Sequence, residues 1–155
     1  MRVYYVKYSK NRSLYFLFLL YLLLLITISI WGTVPTLVLF LGHYQEPATN
    51  FIPFSSILTY IMNFEHYNFS IWFYNLFGNI LAYIPLGYFI ALLFPTFNQA
   101  RQILLISLFP ITALEIIQYI SVMGVFDVDD VLLNMLGAWI GFLLYNSLAK
   151  IFKDK

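Results

Sequence analysis

The chain reads as an all-α integral membrane protein, a bundle of four transmembrane helices. Three observations predict this. Of its 155 residues, 62% are hydrophobic and only 10% are charged, whereas a soluble domain carries about 25% charged residues. The apolar residues fall in four runs of about the 20 residues that cross a bilayer as a helix. The basic residues cluster at alternate ends of those runs. The runs far exceed the roughly 9–11 residues of a barrel strand, so strands are not expected. One domain, 1–155, is the natural size.

The first span is expected at Leu14–Val34, with residues about 13–34 acting as an N-terminal anchor. Arg2, Lys7, Lys10 and Arg12 precede it like the basic leader of a signal peptide. The apolar run is longer than a signal's 7–15 residues, however, and ends in Ser29-Ile30-Trp31 rather than a small-x-small site, so a retained anchor is expected. The second span is read at Ile71–Phe94, the third at Gln102–Met123 and the fourth at Asp130–Lys150. Between the first two lies a long aromatic segment, Pro35–Ser70. In it Ile57, Leu58, Ile61 and Phe64 recur at helical spacing after Ser55, a candidate N-cap. That pattern fits a short helix lying in the interface or re-entering it, and equally a lid packed on the bundle.

Four spans put all eight basic residues on one side: the leader, Arg101, and Lys150, Lys153 and Lys155. The positive-inside rule makes that side cytoplasmic, with both termini inside. Glu46, Glu65, Asp127, Asp129 and Asp130 fall at the opposite face. The expected location is a membrane with that side facing the cytoplasm. There is no cysteine, which excludes disulfides, thiolate metal sites and a cysteine nucleophile. A net charge of +1 gives no reason to invoke nucleic acid.

Polar residues inside the spans carry the functional signal. Glu115 stands in the apolar run Ile103–Val122. A carboxylate at mid-bilayer costs roughly 2.5–3.5 kcal/mol on insertion scales, so a partner, a proton or a water-filled pocket must offset it. Asn75 and Asn79 are spaced i, i+4 on the second span, and Glu115 and Gln118 i, i+3 on the third. Asp127, Asp130, Asn134, Gly137 and Gly141 form a stripe alternating three and four, helical from Asp130 onward. At 1.5 Å per residue, Asn79 and Glu115 both lie roughly 12 Å below the outer face and Asn134 roughly 6 Å. The inner half is read as apolar as far as Asn146 and Ser147. One outward-opening pocket lined by Asn79, Glu115, Gln118, Asp127, Asp130 and Asn134 is the economical inference.

Other readings stand beside it. Glu115 fits either a neutral group bonded to Asn79 or Asn134 or a functional carboxylate. Asn75 reads as interhelical glue, Asp129 as a solvated cap of the fourth helix, and His43 and His66 as solvated loop histidines. Pro85 and Pro110, a few residues inward of Asn79 and Glu115, either splay the helices or are simply tolerated. Gly87, Gly137 and Gly141, with Pro85, are assigned to helix packing. No defined metal loop, Ser–His pair, Gly-rich phosphate loop or HExxH occurs, so no metal or cofactor is expected.

Three blocks resemble the VanZ-like family of bacterial membrane proteins. They are Asn50-Phe51-Ile52-Pro53-Phe54, the N-x5-P-x-G pattern from Asn79 through Pro85 to Gly87, and Glu115-x-x-Gln118 continuing through Gly124-Val125-Phe126-Asp127-Val128-Asp129-Asp130 to Asn134, Gly137 and Gly141. Together they cover about 50–145. Where many members have an arginine after the glycine, this chain has Val125, so a basic group for an anionic headgroup is missing. The resemblance implies a multi-span envelope protein of the bacterial cytoplasmic membrane, linked in its founding members to teicoplanin-type glycopeptide resistance. Expected partners are membrane lipids, a lipid-linked cell-wall precursor or a glycopeptide antibiotic. Two other functions compete: a membrane-embedded hydrolase or transferase with Glu115 and Asp130 as acid and base, and a proton-coupled carrier, which the apolar inner half disfavours.

Overall fold

The computed structural model describes residues 12–31, 49–66, 68–97, 99–121 and 125–153. Arg2, Lys7 and Lys10 of the basic leader, with His43, Tyr44, Glu46, Tyr67 and Gly124, lie outside the described residues. Helix α1 is Arg12–Trp31, α2 Ser55–Met62, α3 Phe69–Phe73, α4 Asn79–Leu93, α5 Ala100–Ile120 and α6 Val128–Lys153. A π-helical turn, Tyr74–Gly78, joins α3 to α4 so that Phe69–Leu93 forms one span. Four helices are long and apolar enough to cross a membrane, and the chain is a multi-pass, all-α protein. The span limits differ from the expected ones by one to three residues.

A two-residue strand, β1 (Thr49–Asn50), pairs in parallel with β2 (Phe126–Asp127), Thr49 opposite Phe126 and Asn50 opposite Asp127. No hydropathy pattern announces it, because two residues carry no alternation. The pairing ties the first loop to the entry of α6.

The core forms where α4 and α6 meet side by side. A Cβ on Gly137 would collide with the carbonyl oxygen of Ile80, and one on Gly141 with that of Ile84. Gly87 meets the backbone of Ala138 in the same way. Partners advance in the same direction along both helices, so α4 and α6 run parallel, and the missing side chains let their backbones touch. Leu86, Ile90, Phe142 and Tyr145 fill the seam beside them, and Ile103, Ile111 and Leu114 of α5 close it. Helix α1 is peripheral. Leu25 is its buried apolar residue, and the ring of Phe18 lies 5.5 Å from that of Phe89. The Tyr21 hydroxyl donates to the Ala82 carbonyl at 2.8 Å.

Helix α4 continues through Pro85 and α5 through Pro110. The irregular turn is instead the π turn before Asn79. A π turn spreads the chain over a wider circuit than an α turn. Asn75 is not interhelical glue: its amide donates to its own helix, to the Ile71 carbonyl at 2.7 Å.

Both expected caps are reassigned. Asp127 caps α6, its Oδ1 accepting the Asp129 N–H at 2.8 Å, the reach of an N-cap residue to the second helical amide. Asp129 is not a solvated cap of its own helix; it is 1% exposed and caps α2. Its Oδ1 accepts the Phe54 N–H at 2.5 Å, and its Oδ2 accepts those of Ser56 at 2.8 Å and Ile57 at 3.1 Å. The position before α2 is held by Phe54, with φ 67° and no capping side chain, rather than by Ser55. A carboxylate from across the bundle supplies the cap that the local sequence lacks.

Candidate functional site

The acidic end of the bundle carries two adjoining carboxylate clusters. In the first, Asp127 and Asp129 hold the loop. Besides capping α6, Asp127 accepts from the Ser56 hydroxyl at 2.5 Å and from the Asn50 amide at 3.2 Å. The Asn50 amide nitrogen also reaches the Ser56 oxygen at 2.9 Å. Each carboxylate thus has several donors, which is how charge is kept in a partly dry place. Asp127, read from the sequence as a pocket residue, belongs to this structural knot.

The second cluster is built on the spans themselves. Asn79 opens α4 at the end of the π turn, and Asp130 lies in the first turn of α6. The parallel packing of the two helices brings them together: the Asn79 amide donates to Asp130 Oδ1 at 2.7 Å. It also reaches the Asn75 carbonyl at 3.2 Å. Glu115, on α5, is 5% exposed. The charged groups acting on it are Asp130, then Asp127. Those acting on Asp130 are Asp127 and Asp129. No cation is among them. Asn134, one turn below Asp130 on the same face of α6, is 1% exposed, and its Oδ1 has no hydrogen-bond partner among the described residues. Asn79 binds Asp130 rather than Glu115, so a Glu115–Asn79 bond is not the arrangement formed.

Gln118 takes a different role from the pocket wall read in the sequence. Its amide donates to the Ser29 carbonyl of α1 at 2.9 Å. Tyr83, buried on α4 one turn below Asn79, bonds the Ser29 side chain and lies within electrostatic reach of Glu115 and Asp130. Ser29 therefore anchors the end of α1 to the rim of the cluster from two sides. Sequence reasoning missed Tyr83, Ser29, Asn50 and Ser56. Tyr83 and Asn50 were open to discovery: Tyr83 is i+4 from Asn79, and Asn50 begins one of the three motif blocks.

Among the described residues no group of three His, Cys, Asp or Glu side chains is placed to hold a metal ion. The geometry instead assembles acceptors. Glu115 lies within electrostatic reach of Asp130, Asn134 follows Asp130 by one helical turn on α6, and Asn79 engages one Asp130 oxygen.

The comparisons with known proteins bear on this arrangement. The family model described as VanZ/LLP1 matches residues 15–152. The chain belongs to the VanZ/LLP1 family. The match takes in α1 as well as the motif region, so the VanZ/LLP1 unit here is the whole four-span bundle rather than the motif blocks alone. Neither the curated proteins nor the solved structures yield a match.

The basic half of this VanZ/LLP1 protein is less apolar than its sequence indicates. Ser107, in α5, is fully buried with its hydroxyl unpartnered, and the amide of Asn146, in α6, is buried with both atoms unpartnered among the described residues. A serine within an apolar run passes unnoticed in hydropathy because helices commonly return its hydroxyl to their own backbone; Ser107 does not.

Proposed function

We propose that this VanZ/LLP1 protein binds or modulates an envelope lipid, a lipid-linked cell-wall precursor or a glycopeptide-type antibiotic at the outer face of the bacterial cytoplasmic membrane. In this reading the Glu115, Asp130, Asn79 and Asn134 cluster is the binding site. The observation that carries it is Glu115 itself: a nearly buried carboxyl group on a membrane span, within electrostatic reach of Asp130 and with no cation acting on it among the described residues. Such groups inside membrane proteins mark substrate and ion sites far more often than they stabilise the fold. The distribution of basic residues supports placing the cluster at the outer face, with both termini cytoplasmic. The family's link to teicoplanin-type resistance supplies a phenotype to follow. Complementation of a null strain tests the proposal. Glu115→Gln and Asp130→Asn, at normal expression, are expected to fail in restoring the antibiotic and envelope phenotypes; full restoration by both would contradict it.

A second reading rests on one feature of the same cluster. Glu115 and Asp130 are carboxylates in each other's field, and only Asp130 has an amide donor. Two carboxyl groups in unlike surroundings suit general acid and general base roles, as in a hydrolase or transferase acting on a lipid-linked substrate. Turnover of such a substrate by purified protein, lost in either variant, separates catalysis from binding.

A further inference from the structure

Resting on the binding-site reading above, we infer that the ligand presents a primary ammonium group to the cluster formed by Glu115, Asp130 and Asn134. The inference follows from a census of donors and acceptors. Asp129 and Asp127 have their donors within the loop and the α6 entry. Asp130 has one oxygen occupied by the Asn79 amide. Three acceptors remain without a donor among the described residues: the Glu115 carboxyl, the second Asp130 oxygen and the Asn134 carbonyl.

Asn134 is the independent observation. It is 1% exposed, and its Oδ1 has no partner among the described residues. A buried acceptor left without a donor costs about 1–3 kcal/mol, and a helix in a membrane has abundant apolar alternatives at that position. A ligand that donates removes the cost.

The sign of the cluster narrows the class. An anionic headgroup would meet the two acidic groups Glu115 and Asp130, on which no cation acts among the described residues. A hydroxyl offers one donor for three acceptors. A quaternary ammonium offers charge but no N–H. A primary ammonium has one positive charge and three N–H donors, matching the two carboxylates and the amide carbonyl. It can come from an aminophospholipid headgroup or from the free amine of a soluble or peptide-bearing ligand.

Retention of lipid by the purified full-length protein, measured in detergent by native mass spectrometry and thermal shift, tests this. The probes are phosphatidylethanolamine, phosphatidylcholine and phosphatidylglycerol with matched acyl chains, together with soluble phosphoethanolamine. Phosphatidylethanolamine is expected to bind at least tenfold more tightly than phosphatidylcholine. Glu115→Gln and Asp130→Asn should each weaken it at least tenfold, and Asn134→Ala several-fold, with unchanged melting of the lipid-free protein. Binding of phosphoethanolamine as tight as that of the lipid would support the ammonium class and assign its source to a soluble amine. Glu115-dependent binding of phosphatidylcholine or phosphatidylglycerol as tight as that of phosphatidylethanolamine would overturn the inference and leave the binding site standing. No Glu115-dependent binding of any probe would overturn the inference, and failed discrimination in the complementation assay would then remove the site as well.

Discussion

Asp129 and Asp130 are adjacent in the chain and point into different environments. Asp129 meets the N-terminus of α2 and accepts three backbone N–H groups across it. Asp130 meets α4 and accepts one side-chain amide, with other carboxylates as its charged neighbours. The first cluster, Asp129 with Asp127, Asn50 and Ser56, is saturated with donors and fastens the outer segment to the bundle. The second, Asp130 with Glu115 and Asn134, is short of donors and fastens little. Similar residues at one end of one bundle thus separate into a group that stability explains and a group that it does not.

The largest effect is expected in the saturated cluster. Asp129→Ala removes the acceptor of three amides at the start of α2 and should cost about 3 kcal/mol or more, since each bond to a charged acceptor contributes about 1.5–3 kcal/mol. Thermal unfolding in detergent measures it, and protease susceptibility at residues 51–62 should rise with it. A loss near zero would erase the contrast between the clusters. Next is the glycine seam. Gly141→Ala places a methyl group against the backbone of Ile84, which cannot move aside as a flexible side chain would. A loss of about 1–3 kcal/mol is expected from such overpacking, read by the same melt. A comparable or smaller effect belongs to Asp127→Ala, which removes the α6 cap and the acceptor of the Ser56 and Asn50 side chains and should cost about 1–3 kcal/mol.

Much of this was legible in the sequence, for identifiable reasons. The spans follow from run length, but the Asn79–Asp130 bond does not follow from the depths read in the sequence, which set Asn79 level with Glu115 and Asp130 at the start of its span. The small-residue stripe at Gly137 and Gly141 announces close contact. The role of Asp129 was not legible, because it recognises backbone amides, which every residue has, at positions 73 and 75 residues away. Asn75 was misread because a polar side chain in a span reads as glue between helices, whereas its amide returns to the Ile71 carbonyl of its own helix. Gln118 has the spacing of a Glu115 companion, yet the nearby end of α1 offers the Ser29 carbonyl first. Sequence periodicity assigns a face, and the neighbour found there depends on packing that periodicity does not encode.

The central claim is that the donor-poor cluster is kept for function at no gain to the fold. It is tested most directly by the melting temperature of lipid-free Glu115→Gln, measured beside Asp129→Ala in the same detergent. Replacing an uncompensated buried carboxylate with a neutral isostere should leave melting unchanged or raise it, while complementation is lost. A fall in melting comparable to that of Asp129→Ala would contradict the account and make Glu115 a structural residue.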